Sequence, residues 1–311
     1  MSQDLTVVLV HRDDYERGQY RAALEALPSV QIVGERSDLR SGLALARQAR
    51  PTILVLDLAQ PVDDTLHSAA QYKLDNGLGF TLSGNKMFVP DAHLADVLVI
   101  AARTRDGSTM EDGVSLFLVP RDTAGVEVKL LPSIDETRKT CEVRLDNAAL
   151  PATALLGELH QGWAPLARVV DQAAVALSAE MCGAAQRVLD ITVDYAKMRT
   201  TFGKPIGSYQ GVKHKCADML IEIENAKSLT YYAAWAIDEG DPDAAMGVSM
   251  AKAAASDAGR KVCAAGIQLH GGIGMTWEHD LHLYLKRAKA DEVALGDATW
   301  HRERIARLLG A

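Results

Sequence analysis

The pattern of hydrophobic and polar positions divides the chain into three segments, with changes near residues 60 and 160. In the first segment, short β-branched runs at 6–10, 30–34 and 52–58 alternate with helical stretches at 15–27 and 41–49. This alternation of strands and helices is typical of a parallel open sheet with right-handed crossovers. The first segment is therefore predicted to be a small α/β unit.

The second segment, residues 66–150, contains short apolar runs separated by turn residues. The runs are FTLSGNKMFV, VLVIAART, VSLFLVP, VEVKLLP and TCEVRL. Several of them alternate between apolar and polar positions, as expected for strands with one buried face. This segment predicts an antiparallel β-domain.

From about residue 162, apolar residues recur every three or four positions, which indicates amphipathic helices. The stripes predict helices over about 162–198, 212–237, 243–269 and 279–309, the last one interrupted near Gly296. Helices with such short connections pack as an up-and-down bundle. The predicted fold class is thus multi-domain α+β. It combines a truncated α/β segment (1–60), an antiparallel β-domain (61–158) and a C-terminal up-and-down four-helix bundle (159–311).

Composition and charge indicate a folded protein and argue against some classes of function. Hydrophobic residues make up 48% of the 311 positions and charged residues 24%, so the chain can bury a core. The net charge of −8 argues against sequence-independent binding to nucleic acid. No apolar run approaches the ~20 residues that cross a bilayer, and we expect a cytoplasmic protein without membrane contacts. The four cysteines form no CxxC motif and are predicted to be buried thiols, without a metal site.

Four longer strings are too particular to follow from composition. They are GFTLSGNKMFVPDAHLADVLVIAART (79–104), SIDETRKTCEVRLDNAALPATALLGELHQGW (133–163), RTTFGKPIGSYQGVKHKCADM (199–219) and GIQLHGGIGMTWEHDLHLYLKRAK (266–289). From about residue 60 to the end, roughly four-fifths of its length, the chain resembles an acyl-CoA dehydrogenase. The resemblance implies that the β-domain and the bundle clasp FAD, and that the bundle of a second subunit completes the site.

The resemblance also assigns cofactor residues. It places Phe88, Val89 and Pro90 against the flavin, Arg199 and Phe202 against the neighbouring subunit's FAD, and Gln268, Gly271 and Gly272 at the adenosine half. An arginine is a permanent cation suited to phosphate oxygens, and glycines let the backbone approach a ligand closely. Taken alone, Phe88 could be a core residue, Arg199 a helix-end cation and GGIG a helix stop. The joint order of these residues favours the cofactor site.

The chemistry implied by the resemblance is α,β-desaturation of an acyl-CoA thioester, in which a carboxylate removes the α-proton. Here the chain departs from the family pattern, because the two usual positions of the glutamate fall on Ala173 and Leu295. Glu180 lies seven residues after Ala173, near the same helix face, and is the best catalytic candidate. A structural pairing of Glu180 with Arg187 or with another chain is the plainer alternative.

Other polar residues near these positions are weaker candidates. Asp171 and Asp297 each lie two residues from a usual base position. His279 and His282 have the i, i+3 spacing of two metal ligands, but a polar helix start explains them better.

Residues 5–61 resemble the first half of a response-regulator receiver domain. Asp57, at the end of the third strand, falls on the phosphate-accepting aspartate, but the acidic pair that holds Mg²⁺ falls on His11 and Arg12. Without these carboxylates a divalent cation has too few oxygen ligands, so phosphorylation of Asp57 is not expected. The segment replaces the family's N-terminal helical domain. If Gln60 and Pro61 correspond to the family's Glu-Pro, residues 52–58, the third strand of this segment, also serve as the first strand of the β-domain.

Three hypotheses follow. The first hypothesis is that the chain is an oligomeric FAD-dependent acyl-CoA dehydrogenase that passes electrons to electron-transfer flavoprotein. Alternatively, it is the base-lacking subunit of a hetero-oligomer, as in family members that act on bulky thioesters such as steroid side chains. The third hypothesis is a non-enzymatic signalling or interaction protein, with a receiver-like segment on a helical oligomerisation module. The missing base and missing N-terminal helical cover favour reduced or partner-dependent catalysis.

Overall fold

A computed structural model describes residues 5–10, 30–36, 53–56, 71–74, 79–105 and 111–310. The chain divides into two compact units, Met1–Thr65 and Leu66–Ala311. In the first unit, β1 (Leu5–Val10), β2 (Val30–Arg36) and β3 (Ile53–Leu56) form a parallel sheet in the order β2-β1-β3. The predicted parallel strands are confirmed. The predicted helices at 15–27 and 41–49, and Asp57, lie outside the described residues, so the receiver resemblance stays a prediction.

The interpretation of residues 52–58 as the first strand of the β-domain was wrong. Residues 53–56 pair in parallel with residues 7–10 of β1, inside the first unit. The first strand described in the larger sheet is β4 (Gln71–Leu74), which pairs with β5 (Gly79–Pro90). The β-branched run at 52–58 is explained by its place beside β1.

The second unit begins with a seven-stranded sheet in the order β10-β7-β6-β4-β5-β9-β8. Its remaining strands are β6 (Val97–Arg103), β7 (Val114–Pro120), β8 (Val126–Leu131), β9 (Thr140–Pro151) and β10 (Leu155–Leu156). Neighbouring strands are antiparallel, as predicted, except that β4 and β6 pair in parallel. Leu82, Phe117 and Val143 are fully buried in the core of this sheet.

The helical part consists of α1 (Trp163–Met198), α2 (Gln210–Glu239), α3 (Ala244–His270), α4 (Leu281–Val293) and α5 (Ala298–Leu308). The predicted interruption near Gly296 separates α4 from α5. Gly240 ends α2 in the left-handed conformation that glycine adopts without strain. A short hairpin of β11 (Thr200–Thr201) and β12 (Lys204–Pro205) follows α1.

Helix α3 lies at the centre of the helical part and contacts α1, α2, α4 and α5. Its small residues permit this close packing: a Cβ added to Gly266 would lie 2.5 Å from the Val188 side chain. Cys141, Cys182 and Cys263 are buried free thiols and Cys216 is half-buried, in agreement with the sequence. None of the helices in the described part of the chain is long and apolar enough to cross a membrane.

Candidate functional site

One end of the helical part brings together the helical cofactor residues predicted from the sequence. The ring of Tyr195, in the last turn of α1, stacks on His270, the last residue of α3, at a centroid distance of 4.2 Å. The Tyr195 hydroxyl also donates a hydrogen bond to the His270 carbonyl, at 3.4 Å. This contact places the residues that follow α1 beside those that end α3. They are Arg199, Phe202, Gln268, Gly271 and Gly272, all with exposed side chains or backbone.

Phe202 occupies a strained and exposed position. It forms the two-residue loop of the β11–β12 hairpin with Gly203, and both residues have positive φ, 52° and 80°. Such a loop favours Asn-Gly, because a bulky residue is disfavoured at positive φ. The Phe202 side chain is 93% exposed, so packing within the chain does not explain it. An outlier of this kind in a structure points to a function for the side chain.

Phe88 shows the same combination at the end of β5. Its φ is 58° and its side chain is 60% exposed. The pairing of β5 with β9 shifts register between Lys86 and Val89, and such a bulge turns a side chain away from its regular direction. Val89 packs on the core of the β-domain and Pro90 is exposed. The alternative that Phe88 is a core residue is therefore wrong, although Phe88–Pro90 lie on the β-domain and not at the end of the bundle.

A groove of about 500 Å³ lies between α2 and α3, and Gln268 forms part of its lining. Its charged lining residues have both signs: Lys215, Asp218, Glu222, Arg260 and Lys261. Gly271 has a φ of 66°, and a Cβ added to Gly271 or Gly272 would meet nothing within 4 Å. The backbone after α3 is therefore open to a ligand, while the same residues also stop the helix.

The donor set at these positions fits FAD. Arg199 offers a permanent cation for the pyrophosphate, and Gln268 offers an amide that can donate to and accept from a base. Phe88 and Phe202 present exposed aromatic faces on which planar rings can stack. Arg199 is also the C-cap of α1, so its charge stabilises the helix end as the plainer alternative supposes.

The two usual base positions carry side chains that accept no proton. Ala173 is half-buried on α1. Leu295 lies between α4 and α5, where it packs against two clusters of buried residues contributed by α1, α2 and α3. Leu295 has a φ of 58°, the same left-handed conformation found at Phe88 and Phe202.

Glu180 does not pair with Arg187 but lies in a cluster of charges that joins the β-domain to the helices. Arg138, from the loop before β9, donates to Glu180 Oε2 at 2.9 Å, and Arg287 of α4 donates to Oε1 at 2.7 Å. The same arginines contact Asp291, at 3.0 and 3.4 Å, and Arg287 also contacts Asp135 at 3.2 Å. Both carboxylate oxygens of Glu180 are therefore engaged by arginines, which stabilise the ionised form of Glu180.

We call these five residues, Asp135, Arg138, Glu180, Arg287 and Asp291, the interdomain charge cluster. Burial, followed by the negative charge of Glu180, raises the pKa of Asp291 to about 6, although Arg287 and Arg138 oppose this shift. Burial also acts to raise the pKa of Asp135. Hydrogen bonds from Thr137 and Arg287 outweigh that effect and hold the pKa of Asp135 below its usual value.

Sequence analysis missed Arg138, Arg287, Asp135 and Asp291. The partners are as many as 153 residues apart in the chain, so no local spacing connects them. The one available signal was that Asp135, Arg138 and Arg287 lie within the family strings at 133–163 and 266–289.

The weaker candidates have structural contacts. Arg304 forms a bidentate ion pair with Asp171, at 2.7 and 2.8 Å. Asp297 caps α5 by accepting from the Trp300 backbone N–H at 2.7 Å. His279 Nδ1 accepts from the Leu281 backbone N–H at the start of α4, which supports the polar helix start. In the described residues, no group of three side chains could hold a metal ion.

Comparison with known proteins assigns this architecture to a class. Residues 64–148 match the middle domain of acyl-CoA dehydrogenases and residues 160–310 match their C-terminal domain, together about three quarters of the chain. Over this part the chain belongs to the acyl-CoA dehydrogenase family, an oxidoreductase flavoprotein family.

Individual relatives agree with this assignment. Acyl-CoA dehydrogenase IpdE2 of Mycolicibacterium smegmatis is 36% identical over 228 residues, which are 73% of this chain and 62% of that protein. Butyryl-CoA dehydrogenase of Megasphaera elsdenii superimposes with a TM-score of 0.75 at 26% identity, over 82% of this chain and 66% of that one. The ChsE4–ChsE5 complex of Mycobacterium tuberculosis superimposes with a TM-score of 0.71 at 30% identity, over 78% and 63%. The chain thus spans about 62% of the length of the curated relative.

Proposed function

We propose that the chain is an FAD-binding subunit of an acyl-CoA dehydrogenase that desaturates an acyl-CoA thioester between its α and β carbons. The observation that carries the proposal is the combination of strain and exposure at Phe88 and Phe202, two of the positions that the resemblance assigns to FAD. Exposed aromatic side chains on strained backbone are explained if a cofactor and a second subunit cover them.

Within the site, the chain's own residues bind and orient the cofactor. Arg199 would hold the pyrophosphate, and Gln268 with Gly271 and Gly272 would receive the adenosine half. The β5 end, Phe88–Pro90, would lie against the isoalloxazine ring. Bound FAD would supply the acceptor for the hydride that leaves the β-carbon. Electron-transfer flavoprotein is the proposed acceptor of these electrons.

We propose further that a carboxylate of a partner chain removes the α-proton, so that the chain works in a hetero-oligomer. The support is the pair Ala173 and Leu295 at the usual base positions, together with the engagement of Glu180 by two arginines. One structural relative, ChsE4–ChsE5, is a complex of two different chains. A bulky substrate such as a steroid-derived or long fatty acyl thioester is the proposed class.

The second candidate keeps the base in this chain, at Glu180, which would make a homo-oligomer sufficient. It is favoured by the 38% exposure of the Glu180 side chain, which leaves the carboxylate within reach of a ligand. Glu180→Gln separates the two candidates. It should abolish desaturation by the chain alone if Glu180 is the base, and should leave the activity of the hetero-oligomer nearly unchanged if a partner supplies the base.

An anaerobic titration tests the proposal as a whole. The chain, purified with FAD, is mixed with acyl-CoA esters of increasing size, with and without candidate partner chains, while flavin bleaching is recorded. The proposal expects bleaching that depends on a partner chain. A colourless chain that takes up no FAD would support the alternative of a non-enzymatic signalling or interaction protein.

A further inference from the structure

The interdomain charge cluster is built around a short loop of the β-domain. This loop, residues 133–139, leads into β9, and we call it the anchor loop. Asp135 orders it locally, because its Oδ1 accepts from the Thr137 backbone N–H at 2.9 Å and from the Thr137 hydroxyl at 2.6 Å. An aspartate that closes a turn in this way favours one conformation of the loop before it contacts any helix.

Two arginines connect the anchor loop to two helices. Arg138 of the loop donates to Glu180 of α1 at 2.9 Å and to Asp291 of α4 at 3.0 Å. Arg287 of α4 donates to Asp135 of the loop at 3.2 Å. Asp135 and Asp291 are buried, so these contacts constrain the structure more than exposed ion pairs do, which solvent and salt screen.

Few other contacts join the sheet to the helices. Among the described residues, the strands of the large sheet contact mainly one another, and the helices contact mainly one another. The chain passes from one part to the other at Gly162, whose backbone N–H donates to the Val114 carbonyl of β7 at 2.7 Å. The anchor loop is a separate attachment, and it acts on the first residues of β9.

The end of β5 has little support of its own. From Gly84 onwards, β9 is the only strand that pairs with β5 among the described residues, because the pairing with β4 stops at Ser83. The register shift after Lys86 leaves Phe88 out of the pairing with β9, on strained backbone. The position of this strand end therefore depends on the contacts that follow the bulge.

These contacts reach the residues next to Arg138. Pro90 pairs with Thr140, and the Asp91 backbone N–H donates to the Lys139 carbonyl at 3.0 Å. Lys139 and Thr140 follow Arg138 directly in the chain. A displacement of Arg138 would therefore move the end of β5.

We propose that Arg138 is a positioning residue for the cofactor: its guanidinium bridges α1 and α4, and thereby fixes residues 88–90 at the distance from the helices that a flavin requires. The inference rests on the proposed function, in which residues 88–90 lie against the isoalloxazine ring, and it deepens that function by giving the charge cluster a role. Glu180 and Asp291 are the points on the two helices to which Arg138 is attached.

Amide hydrogen exchange tests the positioning role without cofactor. In Arg138→Met, exchange at Val89 and Asp91 should be at least about tenfold faster than in the unmodified chain, because exchange follows the free energy of local opening. Arg304→Met is the matched control, since Arg304 forms a partly buried ion pair with Asp171 inside the helical part. It should leave exchange at Val89 and Asp91 unchanged. Unchanged exchange in Arg138→Met would overturn the assignment.

The circular dichroism of bound FAD in the flavin absorption bands tests the consequence for the cofactor. With the full chain saturated with FAD, Arg138→Met and Phe88→Ala should each lose part of this signal, and Arg304→Met should retain it. The double variant should lose no more than Phe88→Ala alone, because Arg138 acts on the flavin through the strand end that carries Phe88. Additive losses, or a full signal in Arg138→Met, would contradict the inference.

Arg138→Lys separates bridging from charge. Lysine retains the positive charge but lacks the planar fork that reaches carboxylates on two helices. Arg138→Lys should therefore resemble Arg138→Met in both measurements, and it replaces Arg138→Met if that variant does not fold. Complete recovery by lysine would assign the effect to charge alone and overturn the bridging role.

The two proposals fail in different ways. If the unmodified chain binds FAD but neither measurement responds to Arg138→Met, the inference about Arg138 is wrong and the proposed function stands. If neither the unmodified chain nor any variant binds FAD, the proposed function is wrong and the inference falls with it.

Discussion

Two regions of the molecule differ in how their charged and strained residues are satisfied. One is the interdomain charge cluster with the adjoining Leu295–Gly296 turn. The other, which we call the open end, is the end of the helical part that carries Arg199, Phe202, Gln268, Gly271 and Gly272. In the first region, which we call the closed region, buried charges and a strained backbone find their partners within the chain: Arg287 contacts three carboxylates and Lys252 contacts three carbonyls. At the open end, Phe202 is strained and 93% exposed. The difference indicates that substitutions in the closed region act on stability, whereas those at the open end act on binding.

The largest expected effect is in the closed region. Arg287→Ala should lower the free energy of unfolding by about 3–5 kcal/mol, because it leaves three carboxylates with a single guanidinium. Arg260 of α3, which pairs at the surface with Asp257 and Glu292 and is 42% exposed, is the control. Arg260→Ala should lower it by no more than about 1 kcal/mol. Urea unfolding measures both, and equal losses would remove the distinction between the two kinds of ion pair.

A pair of glycines compares the two regions directly. Gly296 and Gly203 both have positive φ, 94° and 80°, but an added Cβ would clash with Trp300 only at Gly296. Gly296→Ala should therefore lower the free energy of unfolding by about 2–3 kcal/mol, and Gly203→Ala by about 1 kcal/mol from the backbone alone. Thermal unfolding of the two variants checks this order. A larger loss at Gly203 would contradict the description of the open end as unpacked.

The raised pKa of Asp291 predicts a pH-dependent effect. Since its pKa of about 6 in the folded chain exceeds the usual 3.8, the folded state holds a proton that the unfolded state releases between these values. The contribution of Asp291 therefore becomes less favourable as pH rises from about 4 to 6. The stability of Asp291→Asn relative to the unmodified chain should therefore rise over this window, by about 3 kcal/mol between pH 4 and pH 7. Unfolding measured at several pH values shows the trend, and a constant difference would argue against the raised pKa.

The smallest expected change in stability is at the open end. Phe202→Ala should alter the unfolding free energy of the chain without cofactor by less than about 0.5 kcal/mol, as is usual for an exposed side chain. It should nevertheless weaken FAD binding about tenfold, because stacking on an aromatic ring contributes roughly 1–3 kcal/mol. Calorimetric titration with FAD measures the affinity. A large loss of stability with unchanged FAD affinity would reverse the roles of the two regions.

The sequence predicted the regular elements well because they follow from local periodicity. The stripe over 162–198 became α1, and the interruption near Gly296 became the turn between α4 and α5. The short strand β4 has only four residues and a weak pattern, and it was not predicted. Residues 53–56 form the third parallel strand, as predicted, but the run alone could not exclude a second role in the larger sheet, because pairing partners are set by the fold and not by the run itself.

The candidate site was predictable in part. Family strings located Arg199, Phe202 and Gln268, and the structure brings these residues to one end of the helical part. The strain at Phe88, Phe202 and Leu295 could not be predicted from the sequence. Left-handed backbone conformations usually occur at glycine or asparagine, and none of these three positions carries either residue. The partners of Glu180 were also beyond prediction, since helix spacing suggested Arg187 while the contacts come from Arg138 and Arg287, 42 and 107 residues away.

The most direct test of the account is the mass and the FAD content of the purified full chain, measured together by size-exclusion chromatography with light scattering and flavin absorbance. The account predicts that FAD elutes with an oligomer, formed by the chain with itself or with a partner chain, and that Arg199→Ala and Phe202→Ala reduce the bound FAD. A monomer that stays colourless when FAD and candidate partner chains are supplied would contradict it.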